Sequence, residues 1–398
     1  MEIDKIRQDF PILRDGKTIY FDNACQSLRP ESVIAAIDEY YEKYPACGGR
    51  SVHKLAEIVT KRVDEARSEI AKFIGANRKE EIIFTKNTTE GINLVANSLD
   101  LKKGDIVLIT DKEHNSNLIP WQILSEKKGI ILKIVHSKDD NTFDLEKFES
   151  AMTDNVKLVS FVFTSNLDGT TIPAEEIIKI AHEHGALVML DAAQTMAHQK
   201  VDVEKLEVDF LAFSGHKMLG PSGTGVLYGK YKLLEKLEPF MVGGETVQFS
   251  TYEDHKLLPP PEKFEAGLQD YAGIIGLAEA AKYIESVGFE SIQKQEKELN
   301  QYISKEISEI SGLKIIGPAE AERRGSIVNF YHEKAEPHQI ALVLSEAGIM
   351  VRSGQHCVHS WFNAKGIKGS VRASVAFYNT LEEARVFCEK LKEIIKLY

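Results

Sequence analysis

The sequence has few of the features that mark secreted, membrane-spanning or disulfide-rich chains. It contains 4 cysteines in 398 residues, and they stand far apart, unlike the closely spaced cysteines of small disulfide-stapled domains. The longest apolar runs fall short of the roughly 18 residues needed to cross a bilayer. Residues 1–11 lack the basic start and apolar core of a secretory signal. We therefore expect a cytoplasmic protein with reduced thiols and no membrane contact.

A surplus of positive charge is also lacking. The chain has 60 acidic against 49 basic residues and a net charge of −11, whereas nucleic-acid-binding proteins concentrate Lys and Arg on one surface. We therefore expect no nucleic-acid partner. A composition of 43% hydrophobic and 27% charged residues is typical of a globular protein.

Short runs rich in Val, Ile and Phe alternate with segments of helical periodicity, which favours an α/β fold with a largely parallel sheet. Seven strands are predicted, at Glu81–Thr85, Ile106–Thr110, Ile131–Val135, Leu158–Thr164, Leu187–Asp191, Asp209–Ser214 and Gly225–Tyr228.

Three consecutive prolines in Leu257–Pro261 interrupt regular structure and indicate an extended connection. After them the pattern changes to long helices, a few strands that include Ile349–Arg352, and a final helix. We predict an N-terminal arm over residues 1–18 that packs with the small domain. A large domain over 19–282 would hold the seven-stranded, mainly parallel sheet between helices. A smaller α+β domain would cover 283–398.

Polar groups follow two of the predicted strands, where ligands bind in open parallel sheets. Asp191 ends one strand, and Lys217 follows another in the run Ser214-Gly215-His216-Lys217. Taken singly, Asp191 reads as a loop or capping carboxylate and Lys217 as a surface lysine. Taken together, they meet the two demands of pyridoxal phosphate, which needs a Schiff-base lysine and an acid at its ring nitrogen.

A phosphate site and a second histidine fit the same edge of the sheet. Thr88 and Thr89 follow a predicted strand and precede the predicted helix Gly91–Leu99, so they either bind phosphate or simply cap the helix. His114 follows the strand Ile106–Thr110 and either lies against an aromatic ring or is an ordinary loop histidine.

The predicted small domain offers a thiol and a guanidinium. Cys357 stands in Gln355-His356-Cys357-Val358-His359 and reads as a metal ligand, an inert thiol, or a nucleophile whose pKa the flanking histidines would lower if they lie close enough. Arg372 lies on an apolar strand, so it needs either a substrate carboxylate or a structural ion pair. Gly220–Gly225 lacks the Gly-Lys-Ser/Thr ending of a phosphate-binding loop and reads as a turn.

These motifs together resemble fold-type I pyridoxal-phosphate enzymes of the class V aminotransferase group, in particular the SufS-type (group II) cysteine desulfurases. The resemblance runs along the whole chain. The matching segments are Tyr20–Ala24, Thr88–Asn93, Glu113-His114, Ser165-Asn166 with Gly169-Thr170, Asp191–Gln194, Ser214–Lys217, Phe264–Gly267, and Arg352 with His356-Cys357.

The resemblance implies a homodimer that converts L-cysteine to L-alanine and passes the sulfur to Cys357 as a persulfide. The persulfide sulfur would then pass to a protein acceptor of an iron–sulfur or other sulfur-cofactor assembly system. It also implies roles for single residues, with Lys217 carrying the cofactor as a Schiff base, His114 stacking and transferring protons, and Asp191 binding the ring nitrogen. The resemblance further implies that the cofactor phosphate binds to Thr88, Thr89, Ser214 and His216. The ring hydroxyl would contact Gln194. The substrate carboxylate would bind to Asn166, Arg352 and Arg372. A short segment between Cys357 and Arg372 resembles group II.

The sequence departs from the family pattern at three places. Leu268 stands where a hydroxyl residue usually reaches the phosphate across the dimer, which leaves that contact to the Gly267 amide. Cys25 replaces a small residue, and Pro45–His53 matches the family's Arg-Gly-x-His region only loosely. The exact substrate or the route of the sulfur can therefore differ, and clustering of Cys25 and Cys47 near Cys357 would indicate a metal or cluster role.

Two rival functions remain open at this point. A selenocysteine lyase or other pyridoxal-phosphate β-lyase would need Lys217 and Asp191 but not necessarily Cys357. A pyridoxal-fold protein without catalysis, serving as a binding partner or scaffold, would need none of them.

Overall fold

The computed structural model describes residues 2–398, so Met1, the first residue of the predicted arm, lies outside the described residues. The described chain forms 15 strands and 14 α-helices. The strands are β1 (Ile19–Tyr20), β2 (Ile82–Thr85), β3 (Ile106–Thr110), β4 (Ile131–Val135), β5 (Val156–Val162), β6 (Leu187–Asp191), β7 (Phe210–Ser214), β8 (Gly225–Gly229), β9 (Val247–Ser250), β10 (His255–Leu257), β11 (Leu313–Ile316), β12 (Ile327–His332), β13 (Ile349–Met350), β14 (Arg352–Gly354) and β15 (Ser370–Ser374). The helices are α1 (Ile3–Gln8), α2 (Glu31–Lys43), α3 (Lys54–Ile74), α4 (Thr88–Ser98), α5 (Asn115–Lys128), α6 (Leu145–Ala151), α7 (Ala174–Glu183), α8 (Val203–Leu206), α9 (Tyr231–Leu234), α10 (Tyr271–Val287), α11 (Phe289–Ser308), α12 (Pro337–Glu346), α13 (His359–Lys365) and α14 (Leu381–Ile395).

Seven strands form one large sheet in the order β2-β8-β7-β6-β5-β3-β4. Strand β8 runs antiparallel to both of its neighbours, β2 and β7. The other pairs are parallel. This arrangement confirms the predicted seven-stranded, mainly parallel sheet.

Both faces of this sheet are covered, because alternate side chains of one strand enter two different cores. In β6, Val188 and Leu190 pack in the core that includes α3, α7 and α10, whereas Met189 packs in the core that includes α4 and α5. Successive strand residues point to opposite faces, so strands this apolar need helices on both sides.

The C-terminal part forms a second, four-stranded sheet in the order β11-β12-β15-β14. All its pairs are antiparallel. Helices α11 and α14 bury their apolar faces against it, through residues such as Ile303 and Phe387. The antiparallel strands and the helices beside them form an α+β region.

The N-terminal segment lies against the C-terminal part of the chain. Arg7 forms an ion pair with Glu383 at 2.8 Å, and Phe10 packs on Tyr378. Strand β1 pairs in parallel with β13. The division into an arm (1–18), a large domain (19–282) and a small domain (283–398) stays a prediction.

The structure differs from the predicted elements at several boundaries. Strand β5 ends at Val162, two residues early, because Thr164 instead forms an isolated bridge with Thr171. The single predicted strand Ile349–Arg352 is two strands, since β13 pairs with β1 and β14 pairs with β15. A hairpin, β9 with β10, precedes the prolines and was not predicted.

Within residues 2–398, no helix combines the length and the apolar character needed to cross a membrane.

Candidate active site

A cavity of about 220 Å³ lies at the carboxyl ends of β6 and β7. All the residues that the sequence singled out for a site line it: Thr88, Thr89, His114, Asn166, Asp191, Gln194, Ser214, His216, Lys217, Arg352, Cys357 and Arg372. Residues separated by up to 284 positions therefore meet in one place, with the large sheet supplying most of them and the C-terminal sheet region supplying the last three.

Asp191 and Lys217 face this cavity from neighbouring strand ends. Asp191 is the last residue of β6 and is 3% exposed, and its carboxylate accepts a hydrogen bond from the Ala193 amide at 2.9 Å. Lys217 ends the short 3₁₀ turn that follows β7. Both residues line the cavity, and no ion pair within 4 Å joins them in the described chain.

Burial shifts the pKa of both groups towards the neutral form. It raises the pKa of Asp191, with the Ala193 amide and Lys217 opposing the shift. It lowers the pKa of Lys217, helped by Arg372 and opposed by Asp191, Cys25 and Cys357. A lysine amine displaced towards its neutral form is a nucleophile that condenses with aldehydes.

The N-terminus of α4 forms another wall of the cavity. The helix begins at Thr88, three residues before the predicted start, because the Asn87 side chain caps it by accepting from the Glu90 amide at 3.0 Å. The Thr88 amide donates to Ser214 Oγ at 2.9 Å. Free amides and hydroxyls at a helix N-terminus attract anions.

Two histidines in the cavity are uncharged at neutral pH. Burial, followed by the charges of Lys217 and Arg372, lowers the pKa of His114 to about 3. Burial, followed by Lys217 and Arg29, lowers the pKa of His216 to about 4. The Ser116 amide donates to His114 Nδ1 at 3.1 Å, so a neutral His114 carries its proton on Nε2.

Arg372 is 2% exposed on β15 and keeps one donor free. Its Nη1 donates to the Asn166 carbonyl at 2.9 Å, and its Nη2 lies 3.7 Å from Asp22. Its Nε has no hydrogen-bond partner in the described part of the chain. Burial lowers its pKa to about 10, which leaves it charged at neutral pH.

The side-chain amide nitrogens of Asn166 and Gln194 donate hydrogen bonds to backbone carbonyls of other segments. Asn166 Nδ2 donates to the His356 carbonyl at 2.7 Å, and Gln194 Nε2 donates to the Ala24 carbonyl at 2.6 Å. Asn166 Oδ1 is buried without a partner among residues 2–398. Both side chains therefore hold the cavity wall in place through their amide nitrogens, and their amide oxygens take no part in these bonds.

Arg352 has partners that the sequence did not predict. Its Nη1 donates to Cys25 Sγ at 2.8 Å and lies 3.7 Å from Asp22 Oδ2. Asp22 therefore stands between Arg352 and Arg372, and its own pKa is raised by burial against the pull of both arginines.

Cys357 lies in the loop between β14 and α13 and is half-buried. Its φ is +60°, and that of His356 is +50°, which is a costly conformation for residues with a Cβ. The Cys357 carbonyl accepts from the Asn115 amide at 2.8 Å. The first residue of α5 thus holds the loop against the large sheet.

His356 does not supply the positive charge that would activate Cys357. Burial, followed by Arg372 and Arg352, holds the pKa of His356 well below its usual value, and its Nε2 pairs with Ser370 Oγ at 2.9 Å. The cations that share the cavity with the thiol are the guanidinium groups of Arg352 and Arg372.

Glu113 is a buried group that the motif Glu113-His114 contains but whose contacts the sequence did not reveal. Its carboxylate accepts from the Thr110 hydroxyl at 2.6 Å and the Val162 amide at 3.0 Å. It also accepts from Asn117 Nδ2 at 2.7 Å. Burial raises the pKa of Glu113 to about 7, and its contacts tie β3, β5 and α5 together at the residue that precedes His114.

Comparison with known proteins agrees with this geometry. The family model described as aminotransferase class-V matches residues 19–387. The chain belongs to this family. A probable cysteine desulfurase of Streptomyces coelicolor is 42% identical over 99% of this chain and 97% of its own length.

Two solved structures extend the likeness to the fold of this class V chain. A cysteine desulfurase of Thermococcus onnurineus NA1 gives a TM-score of 0.96 at 40% identity, covering 99% of this chain and 98% of that one. A cysteine desulfurase of Escherichia coli, with an S-sulfonic acid, gives 0.93 at 29% identity, covering 100% and 99%. The predicted class V resemblance is confirmed.

The structure shows the surroundings of the residues at which this class V chain departs from the family pattern. Leu268 is 67% exposed, and the Gly267 amide donates to the Gly244 carbonyl at 2.8 Å, so that amide is already engaged. Cys25 lines the cavity, whereas the exposed Cys47 does not. The described residues contain no group of three or more His, Cys, Asp or Glu side chains that could hold a metal ion.

Proposed function

We propose that this chain is a pyridoxal-phosphate-dependent cysteine desulfurase that converts L-cysteine to L-alanine and passes the sulfur to Cys357 as a persulfide. One observation carries the proposal: an acid, an amine and a thiol, Asp191, Lys217 and Cys357, line a single cavity. The full-length similarity to cysteine desulfurases supports it independently.

The residues of the cavity fit pyridoxal phosphate, which supplies an electron sink for the reacting carbon of an amino acid. Asp191 would hold the ring nitrogen and Lys217 the aldehyde carbon, because both groups line the cavity and no ion pair within 4 Å joins them in the described chain. Gln194 Oε1 would accept from the ring hydroxyl. The phosphate would lie at the start of α4, among Thr88, Thr89, Ser214 and His216.

Lys217 and His114 are suited to hold and move protons. Burial lowers the pKa of Lys217 and so favours its neutral amine. The neutral Nζ accepts a proton from the substrate carbon and returns it to form alanine. His114 stays neutral and keeps Nε2–H available. An uncharged imidazole can also lie flat against an aromatic ring without the cost of burying a charge.

Arg372 is the group best suited to bind the carboxylate of the substrate. Its buried Nε lacks a partner within residues 2–398, and an unpaired donor of this kind costs about 1–3 kcal/mol. A carboxylate that accepts from Nε removes that cost. Arg352 and Asn166 complete the same wall of the cavity.

Cys357 is the proposed sulfur acceptor. Its Sγ attacks the sulfur atom of the bound cysteine, so that an S–S bond forms as the substrate C–S bond breaks. The substrate carbon keeps the electron pair of that bond and takes up a proton. Arg352 and Arg372 provide the positive surroundings that favour such a sulfur nucleophile.

The finer assignments are part of the same proposal. The chain is a SufS-type enzyme, since Arg372 follows Cys357 by only 15 positions and the 7 residues of α13 fill half of that segment. It acts as a cytoplasmic homodimer and gives its sulfur to a protein acceptor of iron–sulfur or related cofactor assembly. A short loop leaves room for an acceptor that approaches the thiol itself.

The test compares Cys357→Ala with Cys47→Ala, which removes an exposed thiol outside the cavity. With the cofactor-loaded protein, Cys357→Ala should keep the yellow colour but form no alanine from L-cysteine, whereas Cys47→Ala should match the unchanged chain. Undiminished turnover by Cys357→Ala would favour a selenocysteine lyase or another β-lyase, and comparing the rates on cysteine and selenocysteine would identify it. A pure protein that takes up no cofactor would favour the non-catalytic scaffold.

A further inference from the structure

Cys25 lies in the same cavity as Cys357, and the proposed reaction leaves it without a role. Both thiols are half-buried, whereas Cys47 is exposed and Cys388 is buried. Both thiols line this cavity together with Arg352 and Arg372. Two partly accessible thiols therefore share one small, positively charged space.

Arg352 fixes the position of the Cys25 sulfur. Its Nη1 donates to Sγ at 2.8 Å, while its contact with Asp22 is longer, at 3.7 Å. Cysteines that react as nucleophiles are partly exposed and lie next to cations, and Cys25 meets both conditions. The backbone of Cys25 is also anchored, because its amide donates to the Asp22 carbonyl at 3.1 Å.

A second observation indicates that a ligand comes to this part of the cavity. Arg372 is 2% exposed, lines the cavity, and keeps its Nε without a partner in the described chain. Its Nη2 shares Asp22 with Arg352. An anionic ligand that binds Arg372 therefore lies beside the arginine that holds Cys25.

We propose that Cys25 is a second sulfur carrier, which takes the sulfur from the Cys357 persulfide and frees Cys357 for another turnover. This inference rests on the proposed desulfurase function. The Cys25 thiolate attacks the outer sulfur of the Cys357 persulfide, and the S–S bond at Cys357 breaks. The electron pair of that bond stays on Cys357 as a thiolate, and the outer sulfur with its proton becomes a persulfide on Cys25. No oxidant or reductant is needed.

The experiment follows labelled sulfur through the cofactor-loaded enzyme. L-Cysteine carrying ³⁴S is added without oxygen, reductant or acceptor protein, and samples are alkylated at intervals and digested with trypsin. Cleavage after Lys and Arg, except before proline, puts each of the four cysteines on its own peptide. Label should appear first on Cys357 and then on Cys25, while Cys47 stays unlabelled.

The variants test the order of the two carriers. Cys357→Ala should leave Cys25 unlabelled, because the sulfur reaches Cys25 only through Cys357. Cys25→Ser should lower the sulfur held by each chain from about two atoms to about one, all of it on Cys357. Cys47→Ser should keep about two.

The outcomes separate this inference from the function on which it rests. Alanine formation with label on Cys357 alone would overturn the inference and leave the desulfurase proposal standing. Equal label on Cys25 and Cys47, or label on Cys25 in Cys357→Ala, would also overturn it, because sulfur would then reach thiols without the relay. Absence of both alanine and label would reject the proposed function itself.

Discussion

The two halves of the cavity are built in different ways. Asp191 and Lys217 come from the ends of adjacent strands in a sheet that is buried on both faces. Cys357 comes from a loop with two residues in the left-handed region. That loop rests on the large sheet through hydrogen bonds to the carbonyls of Cys357 and His356.

This difference teaches that cofactor binding and sulfur transfer are supported by separate elements. Strand ends are fixed by the register of the sheet, so small changes elsewhere leave Asp191 and Lys217 in place. The loop depends on a few hydrogen bonds, each of which contributes about 1 kcal/mol. Changes in the strand-end half should lower the rate of every chemical step, whereas changes in the loop supports should slow only the transfer of sulfur.

The largest effect is expected from Lys217→Ala in the strand-end half. Loss of the amine removes both the covalent hold on the cofactor and the base, so alanine formation should fall by at least about 10³-fold. Borohydride reduction followed by peptide mass spectrometry should find the cofactor on Lys217 in the unchanged chain and nowhere in the variant. Lys236→Ala, at an exposed position, is the control, and equal losses in both variants would contradict the assignment.

A smaller loss is expected from Asp191→Asn in the same half. The change removes the buried carboxylate that would keep the ring nitrogen protonated, so kcat/KM for alanine formation should fall by about 10²-fold. It should leave the cofactor attached to Lys217, and Asp191→Glu should recover part of the rate. A variant that keeps full activity would show that another group serves the ring nitrogen.

Glu113→Gln tests the polar contacts that join α5, where the loop rests, to the large sheet. Burial raises the pKa of Glu113 from 4.5 to about 7. Its stabilising contribution is therefore complete below pH 4.5 and is lost as the pH rises through 7. From pH 5 to pH 8 the unchanged chain should lose roughly 2 kcal/mol of stability relative to Glu113→Gln. Urea unfolding of both proteins at the two pH values measures this, and a constant difference would show that Glu113 does not titrate there.

The strand-end half was largely predictable from the sequence. Apolar runs located the strands, and the rule that ligands bind beyond the carboxyl ends of parallel strands brought Asp191 and Lys217 together. The helix after β2 was predicted from the same kind of local signal, although Asn87 moves its start to Thr88. Local patterns suffice here because each strand end is defined by its own few residues.

The loop half was less predictable, because its contacts join segments far apart in the chain. Nothing in the local pattern brings Arg352 to Cys25, 327 positions away, or the Asn115 amide to the Cys357 carbonyl. The flanking His356 suggested a source of positive charge, yet burial keeps it neutral. The split of Ile349–Arg352 into β13 and β14 likewise depends on partner strands that local periodicity does not identify.

The smallest and most selective effect is expected from Asn115→Pro in the loop half. Asn115 is the first residue of α5, a position that accepts proline because its amide makes no bond within the helix. His114 already has φ −58° and ψ 146°, which suits a residue before proline. The change should therefore leave the helix intact and remove the N–H that donates to the Cys357 carbonyl, together with the side-chain bond to His359.

Loss of the hydrogen bond from the Asn115 amide to the Cys357 carbonyl, about 1 kcal/mol, should slow the transfer of sulfur to Cys357 by roughly fivefold to tenfold. Cofactor affinity, measured by titrating the visible absorbance, should not change, because α4, Asp191 and Lys217 are untouched. Asn115→Ala separates the two contacts of this residue, since it loses the side-chain bond to His359 but keeps the amide. If Asn115→Pro weakened cofactor binding as much as it slowed sulfur transfer, the two halves of the cavity would be coupled, and the loop would have to be regarded as part of the cofactor site.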